Sequence, residues 1–589
     1  MKKFLDVISD VMSEAFAACG YEEKYARVTV SNRPDLCEYQ CNGAMAAAKA
    51  YKKAPFVIAG EVVEKVKDNP AFEKIEAVNP GFINIILDKN FVADYIDKMN
   101  QDENMGYDKA KSPKSIVIDY GGANVAKPLH IGHLRSAIIG ESVKRIAKKA
   151  GHNVVGDVHL GDYGLQMGLI IEQLRDLKPD LPYFDESFSG EYPKEAPFTI
   201  TELEQIYPAA SAKSKEDPEF MERAHQATLK IQNNDPACRA IWNHIMNVSK
   251  EDLKKNYDNL NVSFDLWKGE SDAQEFIPDM VDDMINRGFA HESKGAMVVD
   301  VTEENDSKEI PPCIIRKSDG AALYATSDLA TIIQRERDFA PDRYIYVADK
   351  RQEMHFTQVF RTARKTGLVK PETQLEFLGF GTMNGKDGKP FKTRAGGVMR
   401  LEQLIKEIND AVYDRIMENR SVPEEEARKT AKVIGLAALK YGDLSNQASK
   451  DYIFDIDRFT SFEGNTGPYI LYTVVRIKSI LNKYVESGAN PAEADCIKAP
   501  VNASEKALML KLADYNETMI QAYEESAPHK ICQYIYGLSD SFNSFYHETK
   551  ILSEEDENVK KGYIALLVLT KRVLESCIDL LGFEAPERM

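Results

Sequence analysis

The chain has 589 residues, 43% of them hydrophobic and 29% charged, with 75 Lys+Arg against 93 Asp+Glu for a net charge of −18. That composition excludes a disordered tail protein, a collagen-like repeat and a small disulfide scaffold, and the length predicts about four domain-sized units. The acidic balance excludes a general nucleic-acid coat, because phosphate contacts need clustered cations, but it leaves room for a folded RNA held on local basic patches.

Residues 1–110 read as an α+β unit. Phe4, Leu5, Ile8, Met12 and Phe16 keep a helical spacing that Gly20 would end. Acidic Asp6, Asp10 and Glu14 interrupt any apolar leader after Met1-Lys2-Lys3. The run Phe82-Ile-Asn-Ile-Ile-Leu87 follows the turn residues Asn79-Pro80-Gly81 and predicts a strand. Residues 101–112 are polar and predict a linker.

From Ser115 the pattern changes. Ile116-Val117-Ile118 is a short apolar run, as expected of a strand buried on both faces of a parallel sheet. A glycine-containing loop, a helix over 133–150 and a strand at Val154-Val155 complete a βαβ unit, whose ligands bind past the carboxyl ends of the strands. Between about 176 and 304 that rhythm is lost to a polar, mostly helical insertion. It returns with Tyr344–Val347, a helix over 356–366, and Leu375–Leu378. Beyond 400 the periodicity is helical throughout, including 427–441 and 469–484. The expected division is therefore 1–110, 111–400, a helical connector 401–462 and a helical bundle 463–589.

Eight cysteines without a CxxC pair read as thiols of a reducing compartment, Cys37 and Cys41 being the nearest two. The most apolar stretch, 563–570, is far shorter than the roughly 20 residues of a membrane span. The expectation is a soluble cytoplasmic protein without a membrane partner.

The most informative stretch is Asn124-Val-Ala-Lys-Pro-Leu-His-Ile-Gly-His-Leu-Arg-Ser136. It sets His130 and His133 three apart where a helix begins, and a helix N-terminus already offers free N–H groups to an anion. Two imidazoles there make a site for triphosphate oxygens. Gly132 between them admits a flat base, and Lys127 one turn earlier supplies a cation. A metal reading has no third ligand at a suitable spacing. A second element, Met383 to Gly397, gathers lysines, an arginine and glycines in a loop after a strand. Such a loop can close over polyphosphate and meet the charge on departing pyrophosphate.

Together these elements resemble the signature pair of class I aminoacyl-tRNA synthetases. His130-Ile-Gly-His133 matches their HIGH motif, and Lys389-Pro-Phe-Lys-Thr393 falls where KMSKS belongs, departing from it at three positions. The GKDGKPFKTRAGG form and the NVAKPLHIGHLRS context are similar to arginyl-tRNA synthetases. So are Gly161-Asp-Tyr-Gly-Leu-Gln166, Phe462 to Tyr469, and the ending Leu580 to Met589. The resemblance implies a multidomain α/β architecture. It comprises an N-terminal α+β domain for the tRNA elbow, a Rossmann-type catalytic domain with an insertion, and an all-α anticodon-binding bundle. It further implies ATP carried with Mg2+ as a substrate complex, without a protein-bound structural metal. Lys127, Lys389 and Lys392 would share the phosphate contacts with His130, Gly132 and His133.

A site for free arginine needs acids for the guanidinium, whose planar fork two oxygens can meet. Asp119 ends its strand, and Tyr324 and Asp328 share a face if their segment is helical. By resemblance, arginine is held by Asp119, Asn124, Tyr324, Asp328 and Gln352. Gly121-Gly122-Ala123 stands where the family more often has Ser-Ser-Pro, which predicts a more flexible loop. Tyr469, Tyr472 and Arg476 form a stripe suited to stacking on unpaired bases. The resemblance sets these three, with Tyr546 and Met589, around the anticodon loop, and Asn79, Phe82 and Asn84 at the tRNA elbow. The expected partners are tRNA, L-arginine and ATP, with the protein acting as a monomer. Competing readings are a class I synthetase for another amino acid, an HxGH nucleotidyltransferase, and a non-catalytic RNA-binding scaffold.

Overall fold

The computed structural model of the chain describes residues 1–318, 322–391, 399–419, 422–494 and 496–589. Two units each gather their own interior. One is Met1–Lys109 with Ser461–Asp579 and Glu584–Met589; the other is Ala110–Thr460 with Leu580–Phe583.

In the second unit, four strands make one parallel sheet, ordered in space Gln374–Phe380, Arg343–Asp349, Ser115–Asp119, Asn153–Asp157. The first of them in sequence lies inside the sheet, and its successors leave on opposite sides. The strand order therefore reverses beside Asp119, and a crevice opens beyond the carboxyl ends. Ile116, Val117 and Ile118 are buried, as are Tyr344 to Val347, so the unbroken apolar runs match a sheet covered on both faces. Val117, Leu329, Ile332, Tyr346, Phe356 and Val359 share one core, which joins the sheet to the helices Tyr324–Phe339 and Glu353–Thr366. The helix Leu134–Lys149 follows the first strand, and Gly151 at φ +90 ends it in the left-handed region open to glycine.

The insertion carries the expected helices Ile200–Glu216, Pro218–Gln232, Pro236–Asn259 and Ile277–Asn286. Its end departs from expectation. Ala290–Ser293 and Ala296–Val299 form an antiparallel sheet with Cys313–Arg316. Beyond 400, Tyr452–Ile453 pairs in parallel with Met383–Asn384 between otherwise helical stretches. Strands of two to four residues are too short to show a period, so tertiary pairing decides them.

In the first unit, an antiparallel sheet runs Val28–Val30, Tyr39–Cys41, Phe82–Leu87, Phe72–Val78. Ile83, Ile85 and Leu87 are fully buried, while Phe82, Asn84 and Ile86 turn to the opposite face with the period of two. The helix Phe4–Ala18 buries Phe4, Ile8, Met12 and Phe16 and gives way to Gly20 at φ +80. Five helices, Gly467–Glu486, Ala503–Ala513, Tyr515–Glu524, Pro528–Glu548 and Glu557–Leu580, follow among the described residues at the other end of the chain. Both ends of the chain meet here: Asn516 donates to the Met1 carbonyl (2.7 Å) and Arg572 to the Asn100 carbonyl (2.8 Å).

Candidate functional site

The loop leaving Ser115–Asp119 reaches a tight turn, Ile131–His133, that opens the helix Leu134–Lys149. His130 Nδ1 accepts the Gly132 N–H (3.0 Å), and His133 Nδ1 accepts the His130 N–H (3.2 Å). With both Nδ1 atoms accepting, each neutral ring carries its hydrogen on Nε2. The ring centroids lie 4.0 Å apart. Burial lowers the pKa of His130, with Lys127 adding to it. Burial, then the proximity of His130, takes that of His133 down to about 3. The pair is therefore uncharged at neutral pH and presents N–H donors without a net positive charge. A Cβ on Gly132 would come 2.7 Å from His130 Cε1, so this glycine also makes room for the His130 ring itself.

Backbone hydrogen bonds join the histidine turn to the exit of the lysine-rich loop. Leu401 donates to the Leu129 carbonyl (2.9 Å) and Ile131 to the Met399 carbonyl (3.1 Å). Arg135 secures the loop's root from below: it is buried and donates to Asp443 (3.0 Å), the Gly381 carbonyl (2.7 Å) and the Lys450 carbonyl (3.1 Å). Ser136 Oγ accepts from Gly121 N–H (2.8 Å) and donates to the Val347 carbonyl (2.7 Å), which joins two strand ends. The loop itself begins as a hairpin, with Gly385 N–H on the Lys389 carbonyl (2.8 Å) and Gly388 at φ +73. Lys389 is exposed near its tip, and Lys392 lies outside the described residues. Lys127 behaves differently from the expected phosphate cation. Its Nζ sits 4.1 Å from the Tyr207 ring centroid on the insertion helix Ile200–Glu216, and burial lowers its pKa. Glu204 of the same helix pairs with Arg400.

The acids beside the crevice are already engaged. Asp119 and Asp157 each accept from Arg335 NH2 at 2.7 Å, so Asp119 holds a guanidinium that belongs to the protein. Burial raises the Asp119 pKa against the pull of Arg335. Asp328 faces His355 Nε2 at 2.6 Å. Tyr324 opens the helix that carries Asp328 and is 74% exposed. Gln352 is exposed and ends the turn Lys350–Gln352, three residues before His355.

Asn124 is brought to this edge by the Gly161–Gln166 segment. Val125 N–H bonds the Gly161 carbonyl (3.1 Å), and Gln166 Nε2 donates to the Val125 carbonyl (3.1 Å). A Cβ on Gly161 would stand 2.1 Å from Asn124 Oδ1. The loop over Gly121-Gly122-Ala123, expected to be loose, is pinned. The Tyr257 hydroxyl donates to the Gly121 carbonyl, Ser136 takes the Gly121 N–H, and Ser249 Oγ accepts the Ala126 N–H (2.8 Å).

Two residues that the sequence reading missed stand in the same region. Glu270 is half-buried, and burial raises its pKa to about 7, with the charges of Asp328 and Asp162 pushing the same way and His159 opposing. His159 holds φ +37, and neither ring nitrogen has a hydrogen-bond partner among the described residues. Glu270 sits in Trp267-Lys-Gly-Glu270 with no periodicity to mark it. For His159 the available signal was its place two residues past the strand Asn153–Asp157, at the carboxyl edge of the sheet.

On the helix Gly467–Glu486, Tyr469, Tyr472 and Arg476 form a connected surface cluster. Asn543 donates to the Tyr469 hydroxyl (2.8 Å) and accepts from Arg476 (2.6 Å), whose guanidinium lies 4.6 Å from the Tyr472 ring and 4.9 Å from the Tyr546 ring. Tyr472 and Tyr546 are 36% and 37% exposed, so the stripe is not bundle core. Lys478 of the same helix pairs with Glu587 (2.8 Å), two residues before the half-buried Met589. On the N-terminal sheet, Asn79 is exposed, Phe82 is half-buried, and Asn84 is buried with its oxygen accepting from Gln40 (2.8 Å).

Comparison with known proteins bears on the family and the domain layout. Residues 96–456 match the model for "tRNA synthetases class I (R), catalytic domain", 470–589 the "DALR anticodon binding domain", and 2–87 the "Arginyl tRNA synthetase N terminal domain". The chain is similar to arginine–tRNA ligases of Agathobacter rectalis (64% identical) and Alkaliphilus oremlandii (55% identical), each alignment covering 100% of both chains. Its fold is similar to the crystal structure of arginyl-tRNA synthetase from Plasmodium falciparum, with a TM-score of 0.81 at 24% identity and 100% of both chains covered.

Proposed function

The chain belongs to the arginyl-tRNA synthetases, and from that premise we propose how its residues share the work of an arginine–tRNA ligase. In the first step an oxygen of the arginine carboxylate attacks the α-phosphorus of ATP, and pyrophosphate leaves. In the second, the terminal ribose hydroxyl of tRNA attacks the activated carbonyl, and AMP leaves. Neither step requires a protein nucleophile, so positioning and stabilisation of phosphate charge carry the rate.

The Nε2–H donors of His130 and His133 serve the phosphate oxygens. They donate without an added positive charge, while Lys127, Lys389 and Lys392 supply the cations. Mg2+ arrives on the ATP phosphates, which provide most of its ligands.

Asp328 and Glu270 receive the arginine guanidinium, with Tyr324 and Gln352 along its side chain and Asn124 at its α-amino end. Asp119 acts at one remove, holding Arg335 against Asp157 and so fixing the floor of the pocket. The Tyr469–Tyr472–Arg476 cluster with Tyr546 and Met589 receives the anticodon loop, and the sheet face carrying Asn79, Phe82 and Asn84 receives the tRNA elbow. The protein works as a monomer in the cytoplasm. Its eight cysteines are free thiols, and no helix among the described residues is long and apolar enough to cross a membrane.

The observation that carries this reading is the capped pair His130/His133 beside an acidic crevice at the point where strand order reverses. ATP–pyrophosphate exchange with each standard amino acid, run with and without tRNA, tests it. Exchange with arginine alone is the expected result. Exchange with a different amino acid would remove the roles given to Asp328 and Glu270. Size-exclusion chromatography with light scattering checks the monomer.

A further inference from the structure

We propose that His355 is a positioning residue for arginine: it fixes the plane of the Asp328 carboxylate so that both oxygens can meet a guanidinium fork. The proposal rests on the reading above in which Asp328 receives the substrate guanidinium.

His355 Nε2 lies 2.6 Å from Asp328 Oδ2. An ionised carboxylate can only accept, so the hydrogen of this contact sits on Nε2. The two side chains come from different helices: Asp328 from the second turn of Tyr324–Phe339, His355 from the first turn of Glu353–Thr366. Those helices flank the strand Arg343–Asp349, next to the reversal of strand order. The His355 ring is itself held, edge-on to Phe356 with centroids 5.1 Å apart. Asp328 also acts electrostatically on the titratable groups Glu270, Cys313 and Tyr346. Among the described residues none of these three hydrogen-bonds it.

The orientation matters because of what the carboxylate has to recognise. The torsion that turns a carboxylate about its own axis is broad, so an untethered Asp328 would sample many planes. A guanidinium makes two parallel N–H···O bonds and is sensitive to that plane, whereas an ammonium is a point charge and is not. A hydrogen bond on Oδ2 leaves Oδ1, and the second lone pair of Oδ2, for the fork. His355 therefore favours arginine over lysine without touching either.

The test is ATP–pyrophosphate exchange on the full chain with tRNA present, using variants checked for unchanged thermal melting. His355→Phe keeps a ring against Phe356 and removes the donor, and His355→Leu repeats the loss so that a folding defect in one variant does not silence the result. His355→Gln returns an N–H at similar reach. The expected result is an arginine KM raised about tenfold in the Phe and Leu variants, the scale of a lost hydrogen bond to a charged group. The ATP KM should stay within about twofold, since no phosphate contact changes. Discrimination against lysine should fall by a similar factor, and His355→Gln should recover most of the loss. Adding His355→Phe to Asp328→Asn should raise the arginine KM no further, because the two act as one unit. An unchanged arginine KM in both apolar variants, alongside a raised one in Asp328→Asn, overturns the proposal alone. An unchanged KM in Asp328→Asn overturns the reading beneath it as well. A rise in ATP KM equal to that for arginine reassigns His355 to general support of the fold.

Discussion

The histidine turn and the acidic crevice lie on one sheet edge, yet they are organised in opposite ways. At the turn, backbone groups do the arranging: two N–H donors satisfy two Nδ1 atoms, and burial strips the rings of charge. In the crevice, side chains arrange one another: Arg335 spans Asp119 and Asp157, and His355 meets Asp328. The first arrangement suits a ligand that brings its own charge and cation. The second suits a cation that must be matched by ionised acids. A helix cap is also insensitive to pH where a cluster of carboxylates is not.

That contrast is broken most sharply at the turn. Replacing His133 with Ala removes a donor and half of the reciprocal cap, and arginine activation should slow by about 100-fold in pyrophosphate exchange. Affinity for tRNA, measured by filter binding, should stay within a few-fold; a collapse there would take His133 out of the ATP site. In the crevice, Asp328→Asn should raise the arginine KM by roughly 30-fold through a lost charge-assisted pair, with the ATP KM unmoved.

Away from both, Arg476→Ala unsettles a cation held between two tyrosine rings. The KM for tRNA should climb roughly tenfold while that for arginine holds, as expected for a stacked contact. An unchanged tRNA KM would leave the Tyr472–Tyr546 surface outside the interface. The smallest effect is in pH. Glu270, with its pKa raised to about 7, is increasingly neutral below that value, so the arginine KM should rise a few-fold as pH falls from 8 to 6. His133 near 3 stays neutral over the same span and should leave the ATP KM flat. A matching drift in both constants would erase the distinction between the two regions.

Much of this layout was readable before any coordinates. Runs such as Ile116–Ile118 and Tyr344–Val347 fit strands buried on both faces of a parallel sheet, and their shortness sets them apart from the long buried helix that carries the apolar stretch 563–570. HIGH and the stripe on 467–486 were legible because each is set by spacing within two turns of helix. What stayed hidden depends on distant partners. Arg335 reaches Asp119 across 216 positions of sequence and Arg135 reaches Asp443 across 308, and no local pattern records such pairs. Asp119 was legible as a candidate ligand from its strand-end position, while its engagement by Arg335 was not. The Gly121-Gly122 loop looked mobile for the same reason: glycine content is local, while the hydroxyls of Tyr257 and Ser249 that hold the loop come from the insertion. Lys127 was legible as a cation near the turn, but not as one resting on Tyr207.

That resting place has a kinetic meaning. One helix outside the nucleotide fold holds Lys127 against Tyr207 and, just past the second element, Arg400 against Glu204. Under the phosphate role proposed for Lys127, incoming triphosphate competes with an aromatic face for that cation. The apparent affinity for ATP is then scaled by the fraction of molecules in which Lys127 has let go. A tilt of Ile200–Glu216 would change that fraction by moving Tyr207 alone. On that proposal the insertion works as a throttle on the first step, set by how readily one lysine leaves one tyrosine.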